Sequence, residues 1–338
     1  MNPPEGDSRM VADVPAAPGR GASPDPAANP ARRGIGPDMV RIPGGTFLMG
    51  SDDHYPEEAP AHRVTVGGFW MDRDAVTNRD FARFVVETRH VTVAEQAPDP
   101  ADYPGARPEM LVPASTVFGQ PARRVDLGNP YNWWTYVPGA NWRHPQGQGS
   151  SVMGLADHPV VHLALADVEA YAAWAGKSLP TEAEWEFAAR GGLDGATYAW
   201  GEEFNPSGRW MANTWQGEFP IQNTEQDGYA GTAPVGSFPA NGYGLFDMIG
   251  NVWEWTADWY QAHAESAHAC CAAADPRGGE QDRSSDPNDP VRIPRKVTKG
   301  GSHLCAPNYC QRYRPAARMA QAVDTATSHL GFRCIIRT

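Results

Sequence analysis

Near the carboxyl end of the chain, two cysteines are spaced so that their thiols could act together. Cys305 and Cys310 are separated by four residues, among them Pro307 followed by Asn308. These residue types suit the central positions of a tight turn, because proline presets φ and asparagine tolerates the sharper corner. Fully extended, the two cysteines would lie roughly 16 Å apart, whereas a turn would bring both sulfurs together. Such a pair could form a disulfide, bind a soft metal ion or cycle between redox states.

The residues around this pair form a longer motif. It comprises Gly300, Gly301, Ser302, Cys305, Cys310, Arg312, Tyr313, Arg314, Ala316, Ala317 and Arg318. The motif resembles the active-site segment of the aerobic formylglycine-generating enzymes, also called sulfatase-modifying factors. In that family GGS, two residues, Cys, four residues, Cys, RYR and AAR follow in this order. The segments MVRIPGGTFLMGS, GANWRHP and LPTEAEWEFAARGG are also similar to that family, so the resemblance extends from about Asp38 to Arg337.

The resemblance implies an activity and its participants. The expected activity is that of an oxidoreductase, which oxidises the cysteine of a C-x-P-x-R sequence in an unfolded or nascent sulfatase to Cα-formylglycine. Dioxygen and an external thiol reductant are the implied co-substrates. The resemblance also implies that Cys305 and Cys310 are catalytic and bind copper(I), and that Ser302 lies in the active site.

The residue types by themselves leave alternatives open. Two thiolates prefer soft ions, and a two-sulfur site suits copper(I) better than zinc, which takes four ligands. A structural disulfide is the alternative, although a reducing cytoplasm disfavours it. Ser302 could donate a hydrogen bond at the active site or could simply stabilise a turn after two glycines. Arg312, Arg314 and Arg318 are expected to anchor the segment to buried carboxylates rather than to act in catalysis.

Two segments could bind cations through oxygen ligands. The stretch from residue 213 to residue 229 is rich in Asn and Asp, whose oxygens calcium prefers, although by residue type alone it is an ordinary loop. The resemblance implies a calcium ion there and a second cation further along the chain. The implied ligands are the side chains of Asn213 and Asp227 with the carbonyls of Thr214 and Tyr229 at the first site, and Asp247, Gly250, Val252 and Glu254 at the second. Asp247 replaces a family asparagine.

The remaining three cysteines are assigned no catalytic role. Cys270 and Cys271 are adjacent in a polar loop, where a mutual disulfide would be strained, and metal handling is the alternative. Cys334 matches a position that is disulfide-bonded in secreted relatives. Its partner position is Ala189 in this chain, so that bridge is expected to be absent.

The composition favours an acidic, loop-rich globular protein. The chain has 338 residues and a net charge of −12, which argues against a nucleic-acid partner because phosphate contacts need clustered Lys and Arg. Its 35 glycines and 32 prolines favour loops, while 12 tryptophans favour a packed aromatic core over disorder. No apolar stretch reaches the roughly 18 residues of a membrane span. No signal peptide is recognised, and we expect a cytoplasmic protein.

Few regular elements are predicted to position the cysteine pair. Helices are predicted from their caps and apolar periodicity at residues 77–87, 167–175 and 181–190. Apolar runs on either side of Gly44 and Gly45 predict a β-hairpin, and residues 62–66 a further strand. Residues 91–130 receive no element. Residues 131–145 are predicted to form a loop whose three tryptophans either fill the core or line a substrate groove.

These observations predict a fold class and two functions. Residues 1–34 are expected to be a disordered Pro/Ala-rich tail, and residues 35–338 a single α+β domain. That domain is expected to be loop-rich, with few short helices and small antiparallel sheets, in the formylglycine-generating or C-type lectin-like fold. The predicted function is copper-dependent maturation of sulfatases. The alternative is a catalytically silent, calcium-binding, lectin-like paralogue that binds sulfatases or other ligands; such paralogues lack the cysteine pair.

Overall fold

Short helices and strands alternate with long loops throughout the protein. The computed structural model describes residues 35–263 and 272–338, so the predicted tail, Cys270 and Cys271 lie outside the described residues. The helices are α1 (Asn78–Thr88), α2 (Leu165–Ala175) and α3 (Glu182–Arg190). The strands are β1 (Met39–Ile42), β2 (Gly45–Met49), β3 (His62–Val66), β4 (Phe69–Asp72), β5 (Ala114–Phe118), β6 (Trp134–Pro138), β7 (Trp253–Trp259), β8 (Ala273–Ala274), β9 (Arg295–Lys299), β10 (Arg318–Ala322), β11 (Leu330–Gly331) and β12 (Ile335–Arg337). Within the described ranges, no helix is long and apolar enough to cross a membrane.

The strands form four small sheets. Their orders are β1-β4-β12, β10-β9-β7-β11, β2-β3-β8 and β5-β6. All neighbouring strands are antiparallel except β11 with β7 and β3 with β8. In the four-stranded sheet, β9 and β10 pair with Lys299 opposite Arg318, and the segment that joins them contains the cysteine pair. The predicted α+β, loop-rich domain is confirmed.

The three helices begin and end where the local sequence predicts, with one shift. Thr77 and Thr181 are the N-caps of α1 and α3, as expected. Gly176 ends α2 in the left-handed conformation, as expected for glycine after a helix. However, α2 begins two residues earlier than predicted. Asp167 is the third residue of the helix rather than the first. From that position its carboxylate accepts a hydrogen bond from the backbone N–H of Ala164, at 3.0 Å, at the start of the helix.

The predicted hairpin around Gly44 and Gly45 is wrong. Strands β1 and β2 do not pair with each other, because β1 pairs with β4 and β2 with β3 in a separate sheet. Gly44 has a φ of +74°, and a Cβ atom on it would lie 2.7 Å from the carbonyl oxygen of Val66. The glycines therefore let the chain pass from one sheet to the next against neighbouring backbone.

Two strands occur where the sequence predicted none. Strand β5 lies within residues 91–130, and β6 lies within the predicted loop at 131–145; the two strands pair antiparallel. Strand β5 is also held from its other side, since the N–H of Thr116 donates to Ala326 and the N–H of Ser328 donates to Thr116, both at 3.0 Å. These partners are remote in sequence. A prediction from the local, proline-rich sequence therefore could not identify this strand.

Aromatic side chains form much of the interior. The main core contains Trp142, Trp185, Trp253 and Trp255, each no more than 2% exposed. A smaller buried cluster, which we call the aromatic cluster, consists of Trp133, Trp215, Phe219, Leu304 and Ala306. Two of its members, Leu304 and Ala306, flank Cys305. The core therefore extends directly to the cysteine pair.

Buried ion pairs fasten β9 and β10 to α3. Glu182 and Glu186 lie one turn apart on α3 and face the sheet. Glu182 accepts two hydrogen bonds from Arg318, at 2.7 and 2.8 Å, and Glu186 accepts one from Lys299 at 2.9 Å. Burial by itself raises the pKa of Glu182, but Arg318 and Lys299 hold it well below its ordinary value. Glu182 is therefore ionised, and both ends of the cysteine-bearing segment are fixed.

Glu182→Gln should lower the free energy of unfolding by about 3–5 kcal/mol, because it leaves Arg318 buried without a carboxylate. Chemical denaturation at neutral pH measures the difference. Since the native pKa of Glu182 is depressed, its contribution is present above the ordinary glutamate pKa and is lost as the pH falls. The difference between the two proteins should therefore shrink only below about pH 4.5.

Glu203→Gln, at an exposed glutamate, is the matched control and should change the stability by less than about 0.5 kcal/mol. Equal stability of the Glu182→Gln variant and the wild type would contradict the structural role given to this pair.

Candidate active site

The segment between β9 and β10, residues 300–317, is called the cysteine loop below. It begins at Gly300 and Gly301, which have φ values of +94° and +73°. A Cβ atom on Gly301 would lie 2.8 Å from the carbonyl oxygen of Arg312, and one on Gly300 would lie 2.8 Å from that of Met248. Only glycine permits both the left-handed backbone and these close approaches. The start of the cysteine loop, at Gly301, therefore packs directly against its later part, at Arg312.

A tight turn brings the two cysteines together, as predicted. Pro307 and Asn308 are its central residues, and the N–H groups of Tyr309 and Cys310 both donate to the carbonyl of Ala306, at 3.1 and 2.8 Å. The Sγ atoms of Cys305 and Cys310 are 3.2 Å apart. This separation exceeds the roughly 2.05 Å of a disulfide bond, so the pair consists of free cysteines in hydrogen-bond contact.

The two thiols differ strongly in acidity. Burial, and the neighbouring Cys310 sulfur, raise the pKa of Cys305 well above its ordinary value. The pKa of Cys310 is lowered to about 6, first because Cys305 donates a hydrogen bond to its sulfur and then because Arg312 lies nearby. These contacts favour the negative charge of the pair on Cys310 and the proton on Cys305.

The three arginines of the motif bind carboxylates, as predicted. Arg314 and Glu58 form a buried bidentate pair at 2.7 and 2.5 Å, and Arg312 binds Glu57 at 3.1 and 2.5 Å. Arg312 also stacks on Tyr55, with the guanidinium carbon 3.9 Å from the ring centre, and its Nη1 is 3.9 Å from the Cys310 sulfur. Arg312 therefore both anchors the loop and brings positive charge to the thiolate.

Ser302 is fully buried beside Cys305. Its hydroxyl accepts a hydrogen bond from the N–H of Leu304 at 3.2 Å, and its carbonyl accepts one from the N–H of Cys305 at 2.9 Å. Its own N–H points to the Cys305 sulfur at 3.5 Å. The side chain thus stabilises the turn that positions Cys305, while its hydroxyl proton remains available to a group bound at the sulfurs.

Aromatic rings surround the cysteine loop. Tyr309 stacks on Phe219 with ring centres 4.5 Å apart and meets the edge of Trp133 at 5.3 Å. Trp142, by contrast, packs on Phe81 in the main core at 5.2 Å. Trp142 therefore fills the core, which was one of the two expectations for residues 131–145, whereas Trp133 is buried against the active-site turn and the substrate groove stays a prediction.

The first predicted cation segment, residues 213–229, is called the cation loop below. Asn213 Oδ1 is buried and has no hydrogen-bond partner within the described part of the chain. Asp227 turns one carboxylate oxygen to the N–H of Tyr229 at 3.0 Å and the other to the N–H of Thr214 at 3.1 Å. Burial raises the pKa of Asp227. An orphaned amide oxygen next to a half-buried carboxylate fits an oxygen-seeking cation such as calcium.

Gln216 in this loop was not predicted as a functional residue. Its side-chain amide contacts the carbonyl of Thr214 and donates to Asp227 at 2.7 Å. It therefore bridges two of the predicted ligands. The only available signal was one more amide in an Asx-rich stretch.

The second predicted cation site fits less well. Asp247 Oδ1 is also buried without a partner in the described residues, and burial raises the pKa of Asp247 to about 7. The carboxylate of Glu254, however, is bound by Arg333 at 2.8–3.0 Å and by the indole N–H of Trp185 at 2.7 Å. Gly250 and Val252 offer no side-chain oxygens. The Glu254 side chain is therefore engaged in the core.

The other metal-ligating residues are dispersed. Among residues 35–263 and 272–338, no three His, Cys, Asp or Glu side chains converge as a metal site. His303 Nδ1–H donates to the carbonyl of Asn251 at 2.8 Å. Cys334 is a free, fully buried cysteine. Within the described chain, the cysteine pair therefore has no third His, Cys, Asp or Glu ligand beside it.

A cavity of about 690 Å³ lies beside β5 and was not predicted. Its lining includes the apolar and aromatic residues Met110, Leu111, Tyr103 and Tyr136. It also includes three aspartates, Asp99, Asp102 and Asp324, and Arg107. Tyr103 donates to Asp324 at 2.5 Å. These residues come from separate parts of the chain, so their proximity could not be inferred from sequence spacing.

Comparisons with known proteins agree with this geometry. Residues 24–338 match the family model described as Sulfatase-modifying factor enzyme 1-like domain. The chain is 54% identical over 301 residues to the formylglycine-generating enzyme of Mycobacterium tuberculosis (strain ATCC 25618 / H37Rv), covering 88% of this chain and 97% of that protein. It is 48% identical over 305 residues to the enzyme of the same name from Thermomonospora curvata, covering 89% and 93%.

A solved structure shares the fold. PvdO from Pseudomonas aeruginosa superposes with a TM-score of 0.57 and 25% identity, covering 89% of this chain and 94% of that one. The family match spans the cysteine loop and the elements that anchor it. The chain therefore belongs to the sulfatase-modifying factor family of formylglycine-generating enzymes.

Proposed function

We propose that this enzyme oxidises the cysteine of a C-x-P-x-R sequence in an unfolded or nascent sulfatase to Cα-formylglycine. The observation that supports this most strongly is the buried Cys305–Cys310 pair, with its sulfurs 3.2 Å apart in the complete family motif. Dioxygen accepts four electrons, and conversion of the cysteine to the aldehyde releases two. An external thiol supplies the other two, so cysteine, dioxygen and two thiols yield aldehyde, hydrogen sulfide, water and one disulfide.

Copper(I) is the cofactor that this pair would hold. Two sulfurs, with the negative charge favoured on Cys310, form a soft donor set that hard ions such as magnesium do not prefer. When bound, copper supplies one-electron chemistry with dioxygen. The chain itself buries both sulfurs, keeps Arg312 beside Cys310 and excludes water with the aromatic cluster.

The acidic cavity beside β5 is suited to the arginine of the substrate motif. Thr116 lines the cavity, and Phe118, two residues or about 7 Å further along the strand, contacts Trp215 in the aromatic cluster. In an extended substrate the arginine follows the cysteine by four residues, or about 13 Å. Asp102 and Asp324 in this cavity offer carboxylates whose geometry suits a guanidinium group.

A calcium ion in the cation loop is a further part of the proposal. It is supported by the orphaned Asn213 oxygen and the adjacent Asp227 carboxylate. The carbonyls of Thr214 and Tyr229 would complete the set. We also propose a reducing, cytoplasmic environment, which agrees with the free thiols of Cys305, Cys310 and Cys334.

Cys310→Ser should lower turnover at least a thousandfold, roughly the scale seen when a catalytic group is removed, because it removes the thiolate of the pair. The measurement is mass spectrometry of a C-x-P-x-R peptide incubated with copper-loaded protein, dioxygen and a thiol reductant. The aldehyde product is expected with the wild type. Cys334→Ala, at another buried free cysteine, should retain turnover.

The silent lectin-like alternative makes the opposite prediction. If the protein were a silent paralogue, the wild type itself would leave the peptide unmodified. The Cys310→Ser substitution would then have no effect on the peptide. That result would overturn the enzymatic proposal.

Asp324→Asn should raise KM for the arginine peptide about tenfold, equivalent to about 1.4 kcal/mol, by removing one carboxylate from the cavity. Steady-state kinetics with a second peptide, in which glutamine replaces arginine, separates recognition from general damage. The variant should discriminate between the two peptides less than the wild type does. Asp282→Asn, at an exposed aspartate elsewhere, is the control. Unchanged discrimination in the Asp324 variant would exclude this cavity as the arginine site.

A further inference from the structure

Asn251 is a buried residue that none of the predicted sites includes. Its side chain is 1% exposed, and its φ of +53° is a left-handed conformation that asparagine tolerates better than most residues. It lies between Gly250 and Val252, at the start of β7. All of its polar groups, on backbone and side chain, have partners.

One set of contacts joins Asn251 to the cation loop. Its N–H donates to the carbonyl of Asn213 at 2.9 Å, and its Oδ1 accepts from Asn213 Nδ2 at 3.2 Å. The side chain also exchanges two hydrogen bonds with the backbone of Ala233, at 2.9 and 3.1 Å. Asn213 thus directs its amide nitrogen and carbonyl to Asn251, while its Oδ1 stays open to a cation. A cation on that oxygen would hold the Asn213 side chain in the rotamer that binds Asn251.

A second set of contacts joins Asn251 to the cysteine loop. Its carbonyl accepts from the N–H of His303 at 2.9 Å and from His303 Nδ1 at 2.8 Å. Since a carbonyl oxygen can only accept, the Nδ1–H of His303 is the donor in this contact. His303 is two residues from Cys305. A parallel link exists, because the N–H of Trp215 in the cation loop donates to the carbonyl of Cys305 at 3.0 Å.

We infer that Asn251 is a positioning residue through which the cation loop sets the geometry of the Cys305–Cys310 pair. Cation binding at Asn213 and metal binding at the sulfurs are then coupled, and each strengthens the other by the same factor. The path from Asn213 through Asn251 to His303 is short and buried. It consists of hydrogen bonds, so a displacement at one end changes the geometry at the other. This inference rests on the proposed function, since it adds to that function a link between its two metal sites.

The test compares the copper(I) affinity of the full-length, reduced protein with and without saturating calcium. Competition with a chromogenic copper(I) chelator gives the dissociation constant. Calcium should tighten copper(I) binding by the wild type about tenfold, within the usual range of coupling between sites. In Asn251→Gly the effect should fall to less than about twofold. Glycine is chosen because it permits the left-handed backbone while removing all of the side-chain hydrogen bonds.

Asn241→Gly is the matched control. Asn241 makes four side-chain hydrogen bonds, with Ala188, Ala189, Tyr243 and Leu245, compared with three for Asn251, and it contacts the end of α3 rather than the cysteine loop. It should lose stability to a similar extent and keep the calcium effect. His303→Phe, which removes the Nδ1–H donor to the Asn251 carbonyl and so breaks the path at its other end, replaces the glycine variant if that variant does not fold.

A second measurement does not require copper. The equilibrium between the Cys305–Cys310 dithiol and its disulfide, set by glutathione buffers, should shift with calcium in the wild type and not in Asn251→Gly. The inference is overturned if calcium changes neither the copper affinity nor this equilibrium, or if Asn251→Gly keeps the full effect.

Turnover of the C-x-P-x-R peptide, measured on the same samples, separates the two proposals. An active wild type without calcium coupling refutes only the role of Asn251. A wild type that shows coupling but no turnover refutes only the proposed function.

Discussion

The active-site geometry depends on carboxylates buried beneath the cysteine loop. Ion pairs at Glu182, Glu186 and Glu58 bind the strands and the loop on either side of the two cysteines. Each buried charge would destabilise the fold by several kcal/mol if its partner were lost, so the pairs are held in one arrangement. A loop without regular hydrogen bonding thereby becomes as fixed as a strand. This rigidity holds the two free cysteine sulfurs 3.2 Å apart.

The fixed geometry of the cysteine loop determines which of the two sulfurs carries the negative charge. Burial alone would keep both thiols protonated. The proximity of the two sulfurs and the guanidinium of Arg312, held by Glu57, favour one thiolate, at Cys310. In the proposed function, this single negative charge would balance that of copper(I). A change of rotamer at either cysteine would separate the sulfurs and remove the hydrogen bond between them, which favours the thiolate at Cys310.

Aromatic packing replaces regular secondary structure in the rest of the domain. The helices are short and the sheets small, so backbone hydrogen bonding alone could not define the positions of the long loops. Tryptophan and phenylalanine side chains fill the interior and continue to the active-site turn, where Tyr309 stacks on Phe219. Ala212 and Trp215 belong to these clusters, and Asn213 between them is buried with one side-chain oxygen that has no partner in the described chain. One interior therefore shapes both predicted metal sites.

The sequence by itself determined the features that depend on neighbours in the chain. The caps of α1 and α3 at Thr77 and Thr181, and the turn at Pro307 and Asn308, follow from local conformational preferences. The family motif identified the cysteine pair and its anchoring arginines.

Tertiary structure alone decided what depends on distant partners. The separation of β1 from β2, the existence of β5, the carboxylate chosen by each arginine and the position of Asn251 were not predictable from local pattern. The physical reason is that strand pairing, buried ion pairs and shared hydrogen bonds gain their free energy from groups far apart in sequence. Local propensity contains no information about which of those groups will meet.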